Sequence, residues 1–430
     1  MRIFVPAFFL LFTGVGLSVS AQDIDAIINP SVVENIEKTL SSDDMRGRAS
    51  FSPDIERAAD FIEAKFRAAG LKTWNGSSSY RQPFVLVRAS SISATATLDG
   101  QVLPAGHVFA VSSETSLSVD ENSGYEKAYI KAGGNIGVEA NRYIHGKKNV
   151  VVFVDTSYAS VAARLGRFGR QQFKSDHSVI FILAAGDPVH YSVQIKQDVK
   201  ESKLANVVGI LPGKSKKNEY VIFSGHYDHL GVGKPDNKGD SIFNGANDDA
   251  SGTTAVLMLA NYFGKLKNNE RTLVFAAFTA EEIGEFGSQY FSSQFDPASV
   301  MAMFNIEMIG TESKWGTNSA YITGYERTDM GKILEKNLAG SGFSFYPDPY
   351  PKQQLFYRSD NASLARQGVA AHTISTSKMD SEQFYHTQGD EIGTLDMNNM
   401  ARIIKSIALS SRTIVAGEDT PTRVDTTQLR

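Results

Sequence analysis

Cysteine is absent from all 430 residues. That one absence excludes disulfides, thiolate metal ligands, a cysteine nucleophile and a lipidated-cysteine anchor. Any metal has to be held by carboxylates and by the eight histidines. An excess of one charge sign is lacking too. The formal net charge is -4 with acids and bases interspersed, so neither nucleic acid nor an anionic membrane is an expected partner. Beyond the first twenty or so residues no apolar run approaches the ~18 that a membrane-spanning helix needs. There is no internal repeat and no low-complexity tract. What is present is ordinary for a chain with a real core: 42% hydrophobic and 21% charged residues, at a length that allows two domains.

The N-terminus reads as an export signal. Arg2 supplies the positive region, residues 3–19 the apolar stretch, and Val19-Ser20-Ala21 a small-residue cleavage site ahead of polar Gln22-Asp23. Residues 1–21 are therefore expected to be a signal peptide, and the mature chain to be exported with no stable membrane insertion. A secreted or periplasmic protein without disulfides fits a bacterial periplasm or cell exterior.

Residues 23–71 read as helical, with 55–69 apolar at helical spacing before Gly70. The texture changes from 84 to 205, where 91–98 and 108–118 alternate like strands and 149–154 and 178–185 are apolar runs. The basic stretch between those runs, with Arg164, Arg167, Arg170 and Lys174, reads as a solvated helix face. His107, His145, His177 and His190 lie in this block without ligand spacing and read as structural or surface residues.

After Gly213-Lys214 strands and helices alternate. Strands are expected at 220–223, 272–279, 302–308, 320–323 and 369–375. Helices are expected at 253–266, 287–295, 332–338, 361–367 and 398–414. This pattern predicts an α/β fold: a mainly parallel mixed sheet covered by helices on both faces, with a smaller β-rich inserted domain. The expected division is a main domain at 22–83 and 206–416, an insertion at 84–205, and a polar, poorly ordered tail at 417–430.

The ends of the expected strands carry metal-capable groups: His226 and Asp228, then Asp248, the pair Glu281-Glu282, Glu307 and His386. Singly, each reads as a cap or a surface residue. Together at strand ends they suit zinc or a similar divalent ion, and a shared carboxylate would make a two-metal site that activates water. Neighbouring Glu281 and Glu282 point different ways, so one can bind metal while the other serves as a base.

In order, GHYDHLG, GANDDASG, AEEIGEFGS, NIEMIG, YRSDN and YHTQGD resemble the motifs of the co-catalytic zinc exopeptidases. These include bacterial leucyl aminopeptidases, aminopeptidase Y and glutamate carboxypeptidase. The resemblance covers the chain from about Asn206 onward, plus LSSDDMRGR near the N-terminus. It implies two zinc ions per chain, with Asp248 bridging them, His226 and Glu307 completing one site, and Glu282 and His386 the other. It further implies that Glu281 is the general base toward a water bridging the metals, that Asp228 orients His226, and that Asp390 acts similarly near His386. Tyr385 is either an oxyanion donor or a packed core tyrosine; the sequence leaves both open. By the same resemblance the inserted block is similar to a protease-associated domain, and the substrate is a peptide with a free N-terminus.

Two positions depart from the family pattern. Most members have Asp at Glu307 and many have His at Asn361, which puts the affinity of one metal site and the fit of substrate in question. His229 and His372 match no ligand position and read as supporting or structural. The leading expectation is an aminopeptidase. The alternatives are a glutaminyl-cyclase-like mono-zinc acyltransferase, a carboxypeptidase-type member and a non-catalytic receptor-like relative. Oligomeric state is not legible.

Overall fold

The computed structural model describes residues 21–162 and 171–429. The expected leader up to residue 20, and Arg164, Arg167 and Arg170 of the basic stretch, lie outside the described residues. The chain divides into two compact units. One takes in the chain up to Ala49, Asp54–Tyr80 and everything from Val208 on; the other is Arg81–Val207 with Ser50–Pro53.

In the larger unit, α1 (Pro30–Leu40) and α2 (Ile55–Ala68) precede β1 (Lys216–His226), α3 (Ser251–Leu266) and β2 (Arg271–Phe278). Then come α4 (Phe286–Ser292), β3 (Val300–Ile306), β4 (Ser319–Ile322), α5 (Met330–Asn337) and β5 (Ser344–Pro347). The unit closes with α6 (Asn361–Ala365), β6 (Ala371–Ser375) and α7 (Met397–Ser410). The strand order is β5-β4-β6-β3-β1-β2, followed by the strand Tyr191–Leu211, of which the part from Val208 belongs to this unit. β1 runs parallel to β2 and β3, β3 to β6, and β4 to β5; β4 meets β6 antiparallel. This is the mainly parallel mixed sheet that the strand–helix alternation predicts.

Every residue of β2 is buried, as the continuous run RTLVFAAF requires of a strand covered on both faces. Phe223 on β1 lies in register with Phe275 on β2 and Phe304 on β3. The three rings stack across the strands, at centroid distances of 5.6 and 5.0 Å from Phe223. This aromatic ladder fixes the mutual height of the three strands whose ends carry His226, Glu281 and Glu307. Helix α3 is apolar nearly all round because the sheet lies on one side and α1, α2 and α7 on the others.

The tail departs from expectation. Val424 is buried, its N–H donates to Gly368 O, and the Arg423 guanidinium caps the carbonyls of Val300 and Pro297. Arg271, itself buried, donates to Asp419 O and Thr420 Oγ1. The segment 417–429 is held to the sheet through a few groups, the Asp419 carbonyl, Thr420, Arg423 and Val424, while most of its other polar side chains stay exposed.

The smaller unit contains a four-stranded sheet ordered Val108–Val111, Val179–Leu183, Val150–Val154, Glu126–Ile130, with helix Ile136–Ile144 joining the last two in space. Val151 and Phe153 enter one apolar cluster, and Val150, Val152 and Val154 another, so the period-two alternation of one strand feeds both faces. A long antiparallel pair, Arg81–Leu98 with the stretch from Tyr191 to Val207, completes the unit. Among the described residues no helix is long and apolar enough to cross a membrane.

Candidate metal centre

Parallel strands deliver their C-terminal ends to one edge of the sheet, and the candidate residues gather there. His226 is the last residue of β1, Glu281 and Glu282 follow β2, and Glu307 follows β3. Asp248 stands just before α3, in a turn whose Asp248–Asp249 peptide is cis. His386 comes from the loop after β6. Residues beside or within the set, Ala280, Met308 and His386 itself, have φ of 61°, 53° and 56°. Non-glycine residues held left-handed mark places where the surrounding structure dictates the backbone.

The two oxygens of Asp248 face different imidazoles. Oδ1 lies 3.2 Å from His226 Nε2, and Oδ2 lies 3.2 Å from His386 Nε2. His386 Nε2 is also 3.1 Å from Glu282 Oε2. Donor atoms sharing one tetrahedral ion at ~2.0–2.1 Å stand about 3.3 Å apart, so these separations fit two metal positions on either side of one carboxylate. His226 Nε2 and His386 Nε2 are buried and have no hydrogen-bond partner. His226, Asp248 and Glu307 offer ligand atoms within 4.8 Å of one another, as do His229, Asp248 and Glu282. The chain's own donors therefore fit a pair of divalent cations.

The electrostatics agree. The carboxylates of Asp248 and Glu282 beside its Nε2 raise His386 to about 10. Burial pushes Glu307 up to about 7 and Glu281 well above the usual carboxylate range. His386, Glu307 and Glu281 thus hold protons that divalent cations would displace, whereas Asp248 and Glu282, beside the imidazoles, lie below the usual carboxylate range.

A second layer of groups fixes the first. His226 Nδ1 lies 3.1 Å from the Asp228 carbonyl and 3.7 Å from its carboxylate, so the backbone rather than the side chain of Asp228 is the nearer partner. The Asp228 carboxylate instead accepts the Glu281 N–H at 3.2 Å, which places the expected base. Asp390, expected to support His386, accepts the N–H groups of Asn247 and Asp248 at 2.8 and 3.0 Å and so holds the bridging residue. Asp249 went unassigned in the sequence. Its carboxylate accepts from His226 N–H at 3.1 Å and from Gly252 and Met308 N–H at 3.0 Å each, tying β1, α3 and the end of β3 together. Gly252 is obligatory at this crossing, because a Cβ there would stand 2.1 Å from Ile306 O.

His229 Nδ1 is 2.6 Å from Glu282 Oε1 and 3.9 Å from Asp248 Oδ2. The short contact is a hydrogen bond that orients Glu282, a supporting role whose partner sequence spacing does not reveal. His372 sits inside the sheet, bonded to Thr323 O and Thr328 Oγ1 at 2.8 Å each, away from the cluster. Tyr385 stacks on His386 with centroids 3.9 Å apart and lines the adjoining cleft with Glu307. Asn361 is buried and bonds within the fold through Phe356 O and Thr373 Oγ1. Among the described residues, His107, His145, His177 and His190 join no metal-capable group.

Residues 206–410 match the model of peptidase family M28. That core belongs to the family. The M28 core brings curated relatives with it. A leucine aminopeptidase 1 of Ajellomyces dermatitidis is 31% identical over 219 residues, spanning 46% of this chain and 53% of that protein. A probable zinc metalloprotease of Pyrenophora teres is 38% identical over 109 residues, 25% of this chain and 23% of the relative. The chain thus spans between about a quarter and a half of the length of the curated relatives it matches. An aminopeptidase from Aneurinibacillus sp. strain AM-1 shares the fold, with a TM-score of 0.54 at 19% identity over 92% of this chain and 96% of that one.

Proposed function

We propose that this chain is an exported zinc aminopeptidase holding two zinc ions, which removes residues from the free N-terminus of peptides. The observation that carries the reading is the seating of two imidazoles on the two oxygens of Asp248, with Glu281 alongside at 4.0 Å from His226 Nε2. The leucine aminopeptidase and zinc metalloprotease relatives support the substrate class and the metal. Export is supported by the signal-like residues 1–21.

In this reading His226, Asp248 and Glu307 hold one ion, and Asp248, Glu282 and His386 the other. When bound, such ions supply Lewis acidity and lower the pKa of water at the site toward ~7. Glu281 accepts a proton at its carboxylate and returns it to the leaving amine, as its place beside the ligands and outside both sets allows. The Asp228 carboxylate holds the Glu281 backbone in that position. Tyr385, on the cleft wall next to Glu307, offers a hydroxyl to the developing oxyanion.

The test is metal content of purified protein with hydrolysis of leucine p-nitroanilide by the wild type and by Glu281→Ala. Near two zinc per chain, activity in the wild type and none in a variant that still holds metal is the expected result. One zinc per chain, no amide hydrolysis and cyclisation of N-terminal glutamine would overturn the proposal in favour of a mono-zinc acyltransferase.

A further inference from the structure

A narrow cleft of about 40 Å³ opens beside the candidate metal ligands, and its walls include Glu307, Tyr321, Arg358, Thr373 and Tyr385. Most of its hydroxyl groups are already engaged within the fold. Tyr321 donates to Ser377 O at 3.1 Å, Thr373 to Asn361 Oδ1 at 2.8 Å, and Ser359 to Glu307. Arg358 is different. It is exposed, and its side-chain hydrogen bond is long, from Nη1 to Gln353 Oε1 at 3.4 Å. Among the described residues no carboxylate pairs with it. Two other arginines of this unit do have carboxylates nearby: Arg327 lies 3.8 Å from Glu326 and Arg366 3.7 Å from Glu285.

A guanidinium carries five N–H donors and keeps its charge at every working pH. Among the described residues Arg358 is the one basic residue on the cleft wall, and Glu307, the one acidic residue there, is bonded to Ser359 and committed to the metal set. The wall therefore presents a fixed positive charge with donors to spare, one residue from Ser359. Such a group binds planar carboxylates in a forked, charge-assisted geometry.

We propose that Arg358 anchors a substrate carboxylate, so that the preferred substrates carry an acidic group close to the bond cleaved. This rests on the peptidase reading above and narrows it. The carboxylate has two chemical sources, the side chain of an N-terminal Asp or Glu and the free C-terminus of a dipeptide. Neutral N-terminal residues in long peptides would then be the poorer substrates.

The experiment compares zinc-loaded wild type with Arg358→Gln on two pairs: glutamyl against glutaminyl p-nitroanilide, and Leu-Leu against Leu-Leu-amide. The charged member of one pair should be favoured at least tenfold in kcat/KM by the wild type, and the preference should shrink with added salt and vanish in the variant. The pair that responds identifies the source of the carboxylate. Preferences below twofold in both pairs, or preferences that survive Arg358→Gln, overturn the proposal. If no substrate is cleaved, the peptidase reading fails, and calorimetric binding of glutamate against glutamine and of Leu-Leu against its amide decides this one. Tighter binding of an acid that is lost in Arg358→Gln upholds the anchor; equal binding refutes it.

Discussion

Arg48 lies more than 170 residues from the ligands in sequence, yet its replacement should loosen the metal centre. It is fully buried. Its Nε donates to Tyr227 O at 2.8 Å, Nη1 to Leu40 O at 2.7 Å and Asn244 O at 2.6 Å, and Nη2 to Gly245 O at 3.0 Å. Tyr227 sits between His226 and Asp228, and Asn244-Gly245 lead into Asp248, so one guanidinium clamps both ligand loops to the end of α1. In Arg48→Met these buried carbonyls lose a donor, at ~1–3 kcal/mol for each group left unsatisfied. Gly245 O keeps the Ala250 N–H at 3.1 Å, and removing a buried charge returns several kcal/mol of desolvation. The net expectation is a loss of ~3–5 kcal/mol in urea unfolding of the zinc-loaded protein, with zinc affinity ~10–100-fold weaker by competition with a chromophoric chelator. Arg48→Lys, which keeps the charge but not the fork, should fall between. Arg67→Met gives the contrast, since that exposed residue pairs with Glu63 at 3.0 Å on the surface of α2 and should cost under ~1 kcal/mol. An Arg48→Met protein within ~1 kcal/mol of wild type, binding zinc as tightly, would refute the clamp.

Three other outcomes follow from the same geometry. Burial lowers His372 from 6.5 to about 4, so its folded pKa lies below its unfolded one and its contribution to stability is whole above pH 6.5. As pH falls from 6.5 to 4 the unfolded chain takes the proton first, and ~3 kcal/mol should be lost; the loss should be absent from His372→Gln in pH-dependent unfolding. Stripping metal with a chelator leaves buried acids and imidazoles facing one another, and should lower the melting temperature; re-addition of zinc at a thousandfold its Kd should restore about 4 kcal/mol. A chelated protein that melts like the loaded one would exclude a resident metal. Glu307→Asp retracts the carboxylate by one methylene and forfeits the bond from Ser359, so one of two zinc equivalents should weaken about tenfold while the other stays within twofold, read by titration calorimetry.

The sequence by itself determined the sheet and the candidate ligands at its edge. Apolar runs such as 220–223 and 272–279, each followed by a helical period, can be satisfied only by strands buried on both faces, and parallel strands bring their C-terminal ends to one edge. His226, Glu281, Glu282 and Glu307 are legible because each ends such a run. The supporting layer was not legible. Whether Asp228 uses its carbonyl or its carboxylate turns on a difference of less than an ångström, and Asp390 holds the backbone of Asn247 and Asp248 because the folded loops bring those N–H groups to it. Sequence spacing carries no information at that scale. His229 read only as supporting or structural, and which group it supports was hidden because its partner, Glu282, is far off along the chain and near only after β1 and β2 pair. The tail misled for a related reason. Its polar residues suit water and most stay exposed, but the folded sheet supplies the buried Arg271 and the carbonyls of Pro297 and Val300, to which the Asp419 carbonyl and Arg423 are tied. Periodicity fixes which face of an element is buried, but a polar group's partner is chosen by tertiary packing.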